Sequence, residues 1–467
     1  MDKNIVKQKL YEKYIEPTKK KRNSFIGVEI EIPILNLNKK EVDFDIIHKI
    51  TDLFIDEFGF DVVGQDDDRN AYCMIENQTG DIVSYDCSYN NLEFSFGKEK
   101  CIQNIENRFN TYYRFFQKKF VKYNYTLSGF GINPYRIYNN NVPIPNERYR
   151  MLFHHLHAYS ENDFPMHFHD YPAYGTFSSA SQVQLDVSYD ELIQVIRVFS
   201  LLEPIKSLIF ANSVLLDEQE DLLCARDMLW ENSPHGINPH NIGMFEKIPE
   251  TIEELQAYIE STSIYCVERD GKYLNFEPIN ILEYFEKESI IGEYFDGEKY
   301  CTLEIHPRIE DLDFLRTFKF EDLTYRGTIE FRSVCCQPIE DAMSVAAFHI
   351  GCKENLQKLD ELLKNDNIIY HHGYHATELR KLFNYDTLPI FVDEDKVYEL
   401  ANTVLELSCE GLKRRGYGEE KYLEPLFLRV KERSNPSKYL LSQIKDGIPI
   451  QNIVAEYATL REKEVKE

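Results

Sequence analysis

Charged and amide side chains recur at every second position in four separate stretches of the sequence. The residues concerned are Glu29, Glu31, Glu93, Gln182, Gln184, Asp186, Glu330 and Arg332. In a β-strand this alternation places the polar side chains on one face and the apolar side chains on the other. If the four strands pair in one sheet, their carboxylates repel each other unless cations lie between them, and oxygen donors with few Cys or His favour Mg²⁺ or Mn²⁺. The pattern therefore predicts a divalent-metal site, and the alternative is a solvated sheet face.

Hydrophobic periodicity predicts the elements that position these residues. Strands are expected at 25–33, 71–77, 82–85, 91–96, 181–188 and 328–333, and helices at 3–16, 43–58, 99–124, 190–211, 249–260, 278–287, 339–365, 376–384 and 393–415. The strands come in clusters rather than in regular strand–helix–strand alternation, which favours an α+β fold with an antiparallel sheet and helices packed on one face. No repeat or shift in composition divides the chain. We predict a helical arm at 1–23 and a single domain at 24–467 with a helical carboxyl-terminal part.

Composition limits the partners. The 467 residues include 53 Lys and Arg against 79 Asp and Glu, for a formal net charge of −26, which argues against a nucleic acid partner. No signal peptide or run of about 18 apolar residues is present, so we expect a cytoplasmic protein without a membrane partner. The ten Cys lack a C-x-x-C pair, which is typical of a reduced chain. The absence of G-x-x-x-x-G-K-[ST], G-x-G-x-x-G, G-x-S-x-G and H-E-x-x-H disfavours kinases, dehydrogenases, serine hydrolases and zincins.

Five motifs occur in an order that resembles one enzyme family. They are Gly27–Glu31, Asp86–Ser95, Ala180–Ser188, Ala211–Ser213 and Gly327–Arg332, supported by Arg148-Tyr149-Arg150 and by Arg226 with Trp230. Over residues 24–350 the chain resembles glutamate–cysteine ligases of the plant and proteobacterial type. The resemblance implies a glutamine synthetase-like fold, in which a curved antiparallel sheet holds ATP and Mg²⁺ over its polar face.

The same resemblance implies an ATP-binding carboxylate–amine ligase. Such an enzyme joins the γ-carboxylate of glutamate to cysteine through an acyl phosphate, in the first step of glutathione biosynthesis. A ligase of the same fold that couples another amino acid or amine in a specialised pathway is the alternative, and an inactive binding or regulatory homologue is a further one. The implied partners are small molecules, namely ATP, glutamate or a similar acid, and cysteine or another amine. The oligomeric state is not predicted.

Matching motif positions imply the roles of individual residues. Glu29, Glu31, Glu93 and Glu330 would be metal ligands, with Gln184 as a further ligand or polar contact. Arg332, Glu330 and Asp86 are the expected catalytic residues: the planar fork of Arg332 suits phosphoryl oxygens, and Asp86 would orient a metal-bound water or the amine. The alternatives are a structural salt bridge from Arg332 to one of the glutamates and a turn position for Asp86. Arg332 and Gln182 would contact ATP, and Arg148, Arg150 and Arg226 would bind substrate carboxylates.

Two further features leave questions open. Five histidines, namely His154, His155, His157, His167 and His169, fall within a short stretch. A zinc site, the lining of a substrate pocket and a structural role all remain open for them. Cys335-Cys336 and Asn232–Gly236 depart from the pattern of the related enzymes, and these departures concern the substrate more than the reaction type.

Overall fold

The computed structural model describes residues 2–159, 168–218, 221–366 and 374–461. The helices are α1 (Lys3–Leu10), α2 (Phe44–Phe58), α3 (Ile102–Phe120), α4 (Glu147–His157), α5 (Leu192–Phe210), α6 (Ala225–Glu231), α7 (Ile252–Glu260), α8 (Ile281–Tyr284), α9 (Ala342–Glu354), α10 (Leu356–Asn365), α11 (Ala376–Phe383), α12 (Glu394–Arg415), α13 (Glu424–Glu432), α14 (Pro436–Lys445) and α15 (Ile450–Tyr457). The strands are β1 (Ile26–Asn36), β2 (Asp61–Gln65), β3 (Ala71–Ile75), β4 (Ile82–Tyr85), β5 (Asn91–Glu99), β6 (Tyr125–Leu127), β7 (Ser181–Asp186), β8 (Ile242–Gly243), β9 (Ser263–Arg269), β10 (Lys272–Asn280), β11 (Ile290–Phe295), β12 (Tyr300–Ile305), β13 (Phe318–Lys319), β14 (Glu321–Leu323) and β15 (Thr328–Phe331).

The main sheet contains all the strands that were expected to carry the polar residues. Its strand order is β14-β15-β7-β1-β5-β4-β3-β2, with β6 paired to β1. Every pairing in it is antiparallel. The predicted α+β class and the predicted antiparallel sheet are therefore confirmed.

Helices cover the apolar face of this sheet. Phe94 of β5 contacts Phe109 and Phe116 of α3, with ring centroids 5.7 and 6.0 Å apart. Phe331 of β15 contacts Phe199 of α5 at 4.3 Å. All five rings belong to the largest core cluster, and each aromatic ring buries a large apolar area. Packing fixes the apolar face against the helices. Because side chains alternate along each strand, the polar side chains lie on the opposite face, which lines a cavity.

A second sheet, which the sequence patterns did not predict, lies beside the first. It consists of four antiparallel strands in the order β12-β11-β10-β9. Ile264 and Leu274 of its strands pack in an apolar cluster of their own, together with Val6 and Leu10 of α1. The second sheet therefore has a hydrophobic core separate from that of the main sheet.

Two predicted helices need correction. Residues 278–280 belong to β10 instead of to a helix, because the Asn280 side chain accepts a hydrogen bond from the Leu282 amide at 2.9 Å and caps the short helix α8 there. The predicted helix 339–365 is two helices, α9 and α10, separated at Asn355. The Asn355 side chain donates to the Leu407 carbonyl at 2.8 Å, a bond that competes with helical continuation.

The helix predicted at 3–16 is α-helical only over Lys3–Leu10 and continues as a π-helix over Tyr11–Ile15. The remaining predicted elements agree with the structure to within a few residues. In the described ranges, none of the helices is both long enough and apolar enough to cross a bilayer. All ten cysteines are free thiols. The division into an arm at 1–23 and one domain at 24–467 stays a prediction.

Candidate active site

The pairing of four strands brings the predicted carboxylates onto one face of the main sheet. Glu31 of β1 lies opposite Glu93 of β5, and Glu29 lies opposite Gln182 of β7. On the other side of β7, Gln184 lies opposite Glu330 of β15. The order β15-β7-β1-β5 therefore places the amide-bearing strand β7 between the acidic strands β15 and β1, and the acidic strands β1 and β5 side by side.

The amides of β7 hold these carboxylates in place. Glu31 accepts hydrogen bonds from the Ala180 amide at 2.7 Å and from Gln182 Nε2 at 2.8 Å. The Nε2 atom of Gln184 donates to Glu29 at 2.9 Å and to Glu330 at 3.0 Å. Gln184 thereby bridges the two glutamates on its neighbouring strands.

Burial and mutual repulsion raise the pKa values of the acidic residues. For Glu29, burial and the nearby charges of Glu330 and Glu93 hold the pKa well above its usual range. Burial and the charge of Asp86 raise the pKa of Glu31 to about 8, and the same two causes, together with Glu31 itself, raise that of Glu93 to about 8. Cations that neutralised these carboxylates would favour their ionised forms.

Arg332 provides a positive charge on this face. Its Nη2 pairs with Glu330, and its Nη1 donates to Gln182 Oε1 at 3.3 Å. Its Nε is buried without a hydrogen-bond partner and lies 3.8 Å from Asp322. The guanidinium is thus anchored on the sheet, and its Nε–H has no hydrogen-bond acceptor among the described residues.

The donor set can be compared with what a divalent metal requires. Four carboxylates with only oxygen donors suit Mg²⁺ or Mn²⁺ by their chemistry. Within the described ranges, however, no three His, Cys, Asp or Glu side chains are arranged closely enough to hold one ion. The glutamates are bonded to the amides and to Arg332, so their side chains would have to turn to bind an ion. Their role as metal ligands stays a prediction.

The polar face opens on a cavity of about 480 Å³. The main sheet and the turn before β5 contribute Glu29, Glu31, Glu93, Gln182, Arg332 and Asp86 to its lining. Helices α4 and α6 and the second sheet contribute Arg148, Tyr149, Arg226, Trp230, Tyr265 and Tyr273. One cavity therefore joins the acidic sheet to residues from a different layer of the fold.

Three predicted residues adjoin the carboxylates in this cavity. Burial raises the pKa of Asp86, which Arg148 partly offsets, and Tyr149 donates to its Oδ1 at 3.5 Å. Arg226 is 6% exposed, and its Nη1 donates to the Arg332 carbonyl at 3.0 Å. Arg148 begins the first turn of α4, where the Asn146 side chain caps the helix by accepting from the Tyr149 amide at 2.8 Å.

Arg150 lies outside the cavity lining. Its guanidinium pairs with Asp67 at 2.6 Å and with Glu147 at 3.0 Å. Residues two apart on a helix point in nearly opposite directions, so Arg148 and Arg150 cannot both face the cavity. The structure thus gives no support to the expected role of Arg150 in substrate binding. Glu330 and Gln184 are also outside the lining, but each is bonded to a residue that lines it.

The described histidines of the cluster do not converge. His154 pairs with Glu293 at 2.9 Å, and His157 bonds to the Phe153 carbonyl at 2.7 Å. His155 is fully buried, bonds to Asn275 at 3.0 Å and stacks on Tyr265. Burial lowers the pKa of His155 to about 3, so its ring is neutral.

His169 donates to the Leu229 carbonyl at 2.7 Å, and His167 lies outside the described residues. Within those residues, the histidines have separate structural partners.

The raised pKa values predict a pH dependence of stability for the metal-free protein. Unfolded glutamates titrate near pH 4.3, whereas folded Glu31 and Glu93 titrate near pH 8. Between these values the folded state binds more protons, so the free energy of unfolding should fall as pH rises through that window. Calorimetry in EDTA should show it, and added Mg²⁺ should raise the Tm more at about pH 8.5 than at about pH 5.5 because it binds the ionised form.

The variants Glu31→Gln and Glu93→Gln should flatten this pH dependence, because they remove the titrating groups. The exposed Glu298→Gln serves as the matched control and should leave it unchanged. If the Gln variants keep the full slope, the titration does not originate at these residues.

The fold and the cavity together define an α+β protein with an acidic antiparallel sheet that faces an arginine-lined pocket. No model of a protein family matches the chain. The chain is 22% identical over 269 residues to glutamate–cysteine ligase B, chloroplastic, of Oryza sativa subsp. japonica, which covers 56% of this chain and 50% of that protein. It is 23% identical over 267 residues to the chloroplastic glutamate–cysteine ligase of Solanum lycopersicum, with 56% and 48% covered. The resemblance to glutamate–cysteine ligases is confirmed, and the chain spans about half the length of these relatives.

Two solved structures are also similar. A glutamate–cysteine ligase from Francisella tularensis in complex with AMP superposes with a TM-score of 0.46 at 11% identity, over 94% of this chain and 89% of that one. A bifunctional glutathione synthetase from Pasteurella multocida gives 0.45 at 11% identity, over 97% and 52%. The curated relatives named above are chloroplastic, and the cytoplasmic location expected for this chain stays a prediction.

Proposed function

We propose that this chain is an ATP- and Mg²⁺-dependent carboxylate–amine ligase whose donor is the γ-carboxylate of glutamate. The observation that carries the proposal is the set of Glu29, Glu31 and Glu93 lining one cavity with Arg332. Their raised pKa values mark a site that favours added cations. The similar plant proteins are named for glutamate and cysteine, so these are the first substrates to test.

The metal would be held by Glu29, Glu31, Glu93 and Glu330, with Gln184 between two of them. When bound, it would neutralise the charge of both the phosphates and the carboxylates. Gln182 would contact ATP; its position in the cavity lining, where it donates to Glu31, supports this assignment.

Arg332 acts in the first step. A donor carboxylate oxygen forms a bond to the γ-phosphorus of ATP while the bond to the ADP oxygen breaks. The transferring oxygens carry spread negative charge, and a positioned guanidinium stabilises it. Glu330 and Gln182 fix the Arg332 head in one orientation, and Nε remains as the donor without a partner.

Asp86 acts in the second step. The acceptor amine attacks the acyl carbon, the bond to phosphate breaks, and the amine must lose a proton. Burial raises the pKa of Asp86, which makes it a better proton acceptor. Arg226, close to Glu31 and Arg332, would bind the α-carboxylate of the donor.

The test is a coupled assay of ADP release with the purified chain, ATP and Mg²⁺. Release should require both glutamate and an amine, and mass spectrometry should show a product equal to their sum minus water. EDTA should abolish release. ADP release at the same rate without glutamate would reject this function. So would the absence of ADP release with every amino acid tested as acceptor. The latter result would favour a binding or regulatory homologue.

A further inference from the structure

The cavity has a second wall, made of aromatic rings, that the ligase chemistry on the main sheet does not use. We call Trp230, His235, Tyr265 and Phe318 the aromatic wall; all four line the cavity. The ring centroids of His235 and Phe318 are 4.3 Å apart, those of Trp230 and Phe318 are 5.0 Å apart, and those of His235 and Tyr265 are 5.5 Å apart. Each ring thus supports another, and together they form a continuous apolar surface.

Polar atoms on this wall lack partners. Trp230 Nε1 and His235 Nδ1 are buried without a hydrogen bond. His235 is 5% exposed, and burial keeps its pKa well below the usual range, so the ring is neutral. An unsatisfied buried polar group costs roughly 1–3 kcal/mol, and buried Trp N–H groups usually find an acceptor. These atoms point to a ligand with polar groups beside an apolar body.

Two arginines add positive charge to the same cavity. Arg148 and Arg316 line it. Arg148 lies close enough to Asp86 for their charges to interact. An amine at Asp86 and a carboxylate at Arg148 are the two ends of an α-amino acid.

We infer that the aromatic wall binds the acceptor, and that the acceptor is an α-amino acid with a planar aromatic side chain. This inference rests on the proposed function and names its second substrate. The ring lies on the aromatic wall, the α-carboxylate pairs with Arg148 and Arg316, and the amine faces Asp86. The nitrogen attacks the acyl phosphate carbon, inorganic phosphate leaves, and the nitrogen's proton passes to Asp86.

The first measurement compares kcat/KM for acceptors at saturating ATP, Mg²⁺ and glutamate. Phenylalanine, tyrosine, tryptophan and histidine are compared with cysteine and alanine, and each product is checked by mass. At least one aromatic acceptor should exceed both small acceptors by about tenfold or more, because even one methylene in a fitted pocket changes selectivity by roughly 10–200-fold. If cysteine equals or exceeds the aromatic acceptors, the inference fails and the ligase function stands. If no amine supports ADP release, both fail.

The second measurement uses variants of the wall. Trp230→Ala should lower kcat/KM for the preferred aromatic acceptor by about tenfold or more, and that for alanine by less than about threefold. The KM for ATP should not change, and a large rise in it would assign the wall to the nucleotide base and overturn the inference. Tyr325→Ala, at a tyrosine that is 56% exposed, is the matched control. If Trp230→Ala does not fold, Phe318→Leu at a half-buried position takes its place.

The carboxylate contact has its own test. Arg316→Gln should reduce the preference for phenylalanine over phenylalaninamide, because the charge that favours the acid is gone. An unchanged preference, in both this variant and Arg148→Gln, would overturn the placement of the acceptor carboxylate.

Discussion

Replacing Glu330 by Gln is expected to lower kcat for ADP release by about 10³-fold while the protein stays folded. Removing one electrostatic group that stabilises developing charge typically costs 10²–10³-fold. Glu330 is 4% exposed, pairs with Arg332 and accepts from Gln184. The Gln side chain has the same shape but neither attracts a cation nor anchors the guanidinium, so both functions are lost together.

The measurement is the coupled ADP assay, with circular dichroism and thermal unfolding to establish that Glu330→Gln folds. Glu298→Gln, at an exposed acidic residue, is the matched control and should keep full activity. Wild-type kcat in Glu330→Gln would remove Glu330 from the site.

Replacing Arg380 by Ala is expected to cost about 3–5 kcal/mol of unfolding free energy, the usual result of breaking a buried ion pair from one side. Arg380 of α11 is 3% exposed and pairs with Glu203 at 2.6 Å and with Asp227 at 2.7 Å. Burial raises the pKa of Glu203, but the positive charges of Lys206 and Arg380 outweigh it and lower this pKa to about 2. Without Arg380, Asp227 loses its ion pair, and Glu203 keeps only Lys206.

Chemical denaturation of the full chain measures this effect. Arg433→Ala is the matched control, because the Arg433–Asp395 pair is on the surface and such pairs contribute about 0–1 kcal/mol. A loss below about 1 kcal/mol for Arg380→Ala would show that the buried network does not depend on this residue. Arg380 contacts the chain next to two residues of the candidate site. It pairs with Asp227, which follows Arg226, and it donates weakly to the carbonyl of Ser333, which follows Arg332, at 3.4 Å. A change in activity should therefore accompany the loss of stability.

The acidic strands were predictable because their alternation is strict. In β1 and β7, apolar residues such as Val28, Ile30 and Val183 fall between polar ones, so the period of two identifies both the strand and its polar face. The register that places Glu31 opposite Glu93 was not predictable from one sequence, because strand pairing depends on contacts between distant segments.

The second sheet escaped prediction because its strands do not alternate. The first five residues of β9 are all buried, and β12 is mostly exposed. A short run of buried residues can be a strand or part of a buried helix, and a mostly exposed stretch can be an edge strand or a loop. The aromatic wall was missed for the same reason, since Tyr265 belongs to β9 and Phe318 to a two-residue strand. Arg148 and Arg150 are two residues apart on α4 and point in different directions, so Arg148 lines the cavity and Arg150 does not. The role of Arg150 in substrate binding stays a prediction.

The separate hydrophobic core of the second sheet has a consequence for how such a protein can change. Tyr265 and Tyr273 sit on strands stabilised by Ile264 and Leu274, whereas the acidic strands depend on the other core. Substitutions at distant sites with no shared partners usually have additive effects. If the proposed function holds, substitutions in the smaller core should therefore change the preference for the acceptor more than they change ATP turnover, except near Tyr14 and Ile259, which pack against both cores.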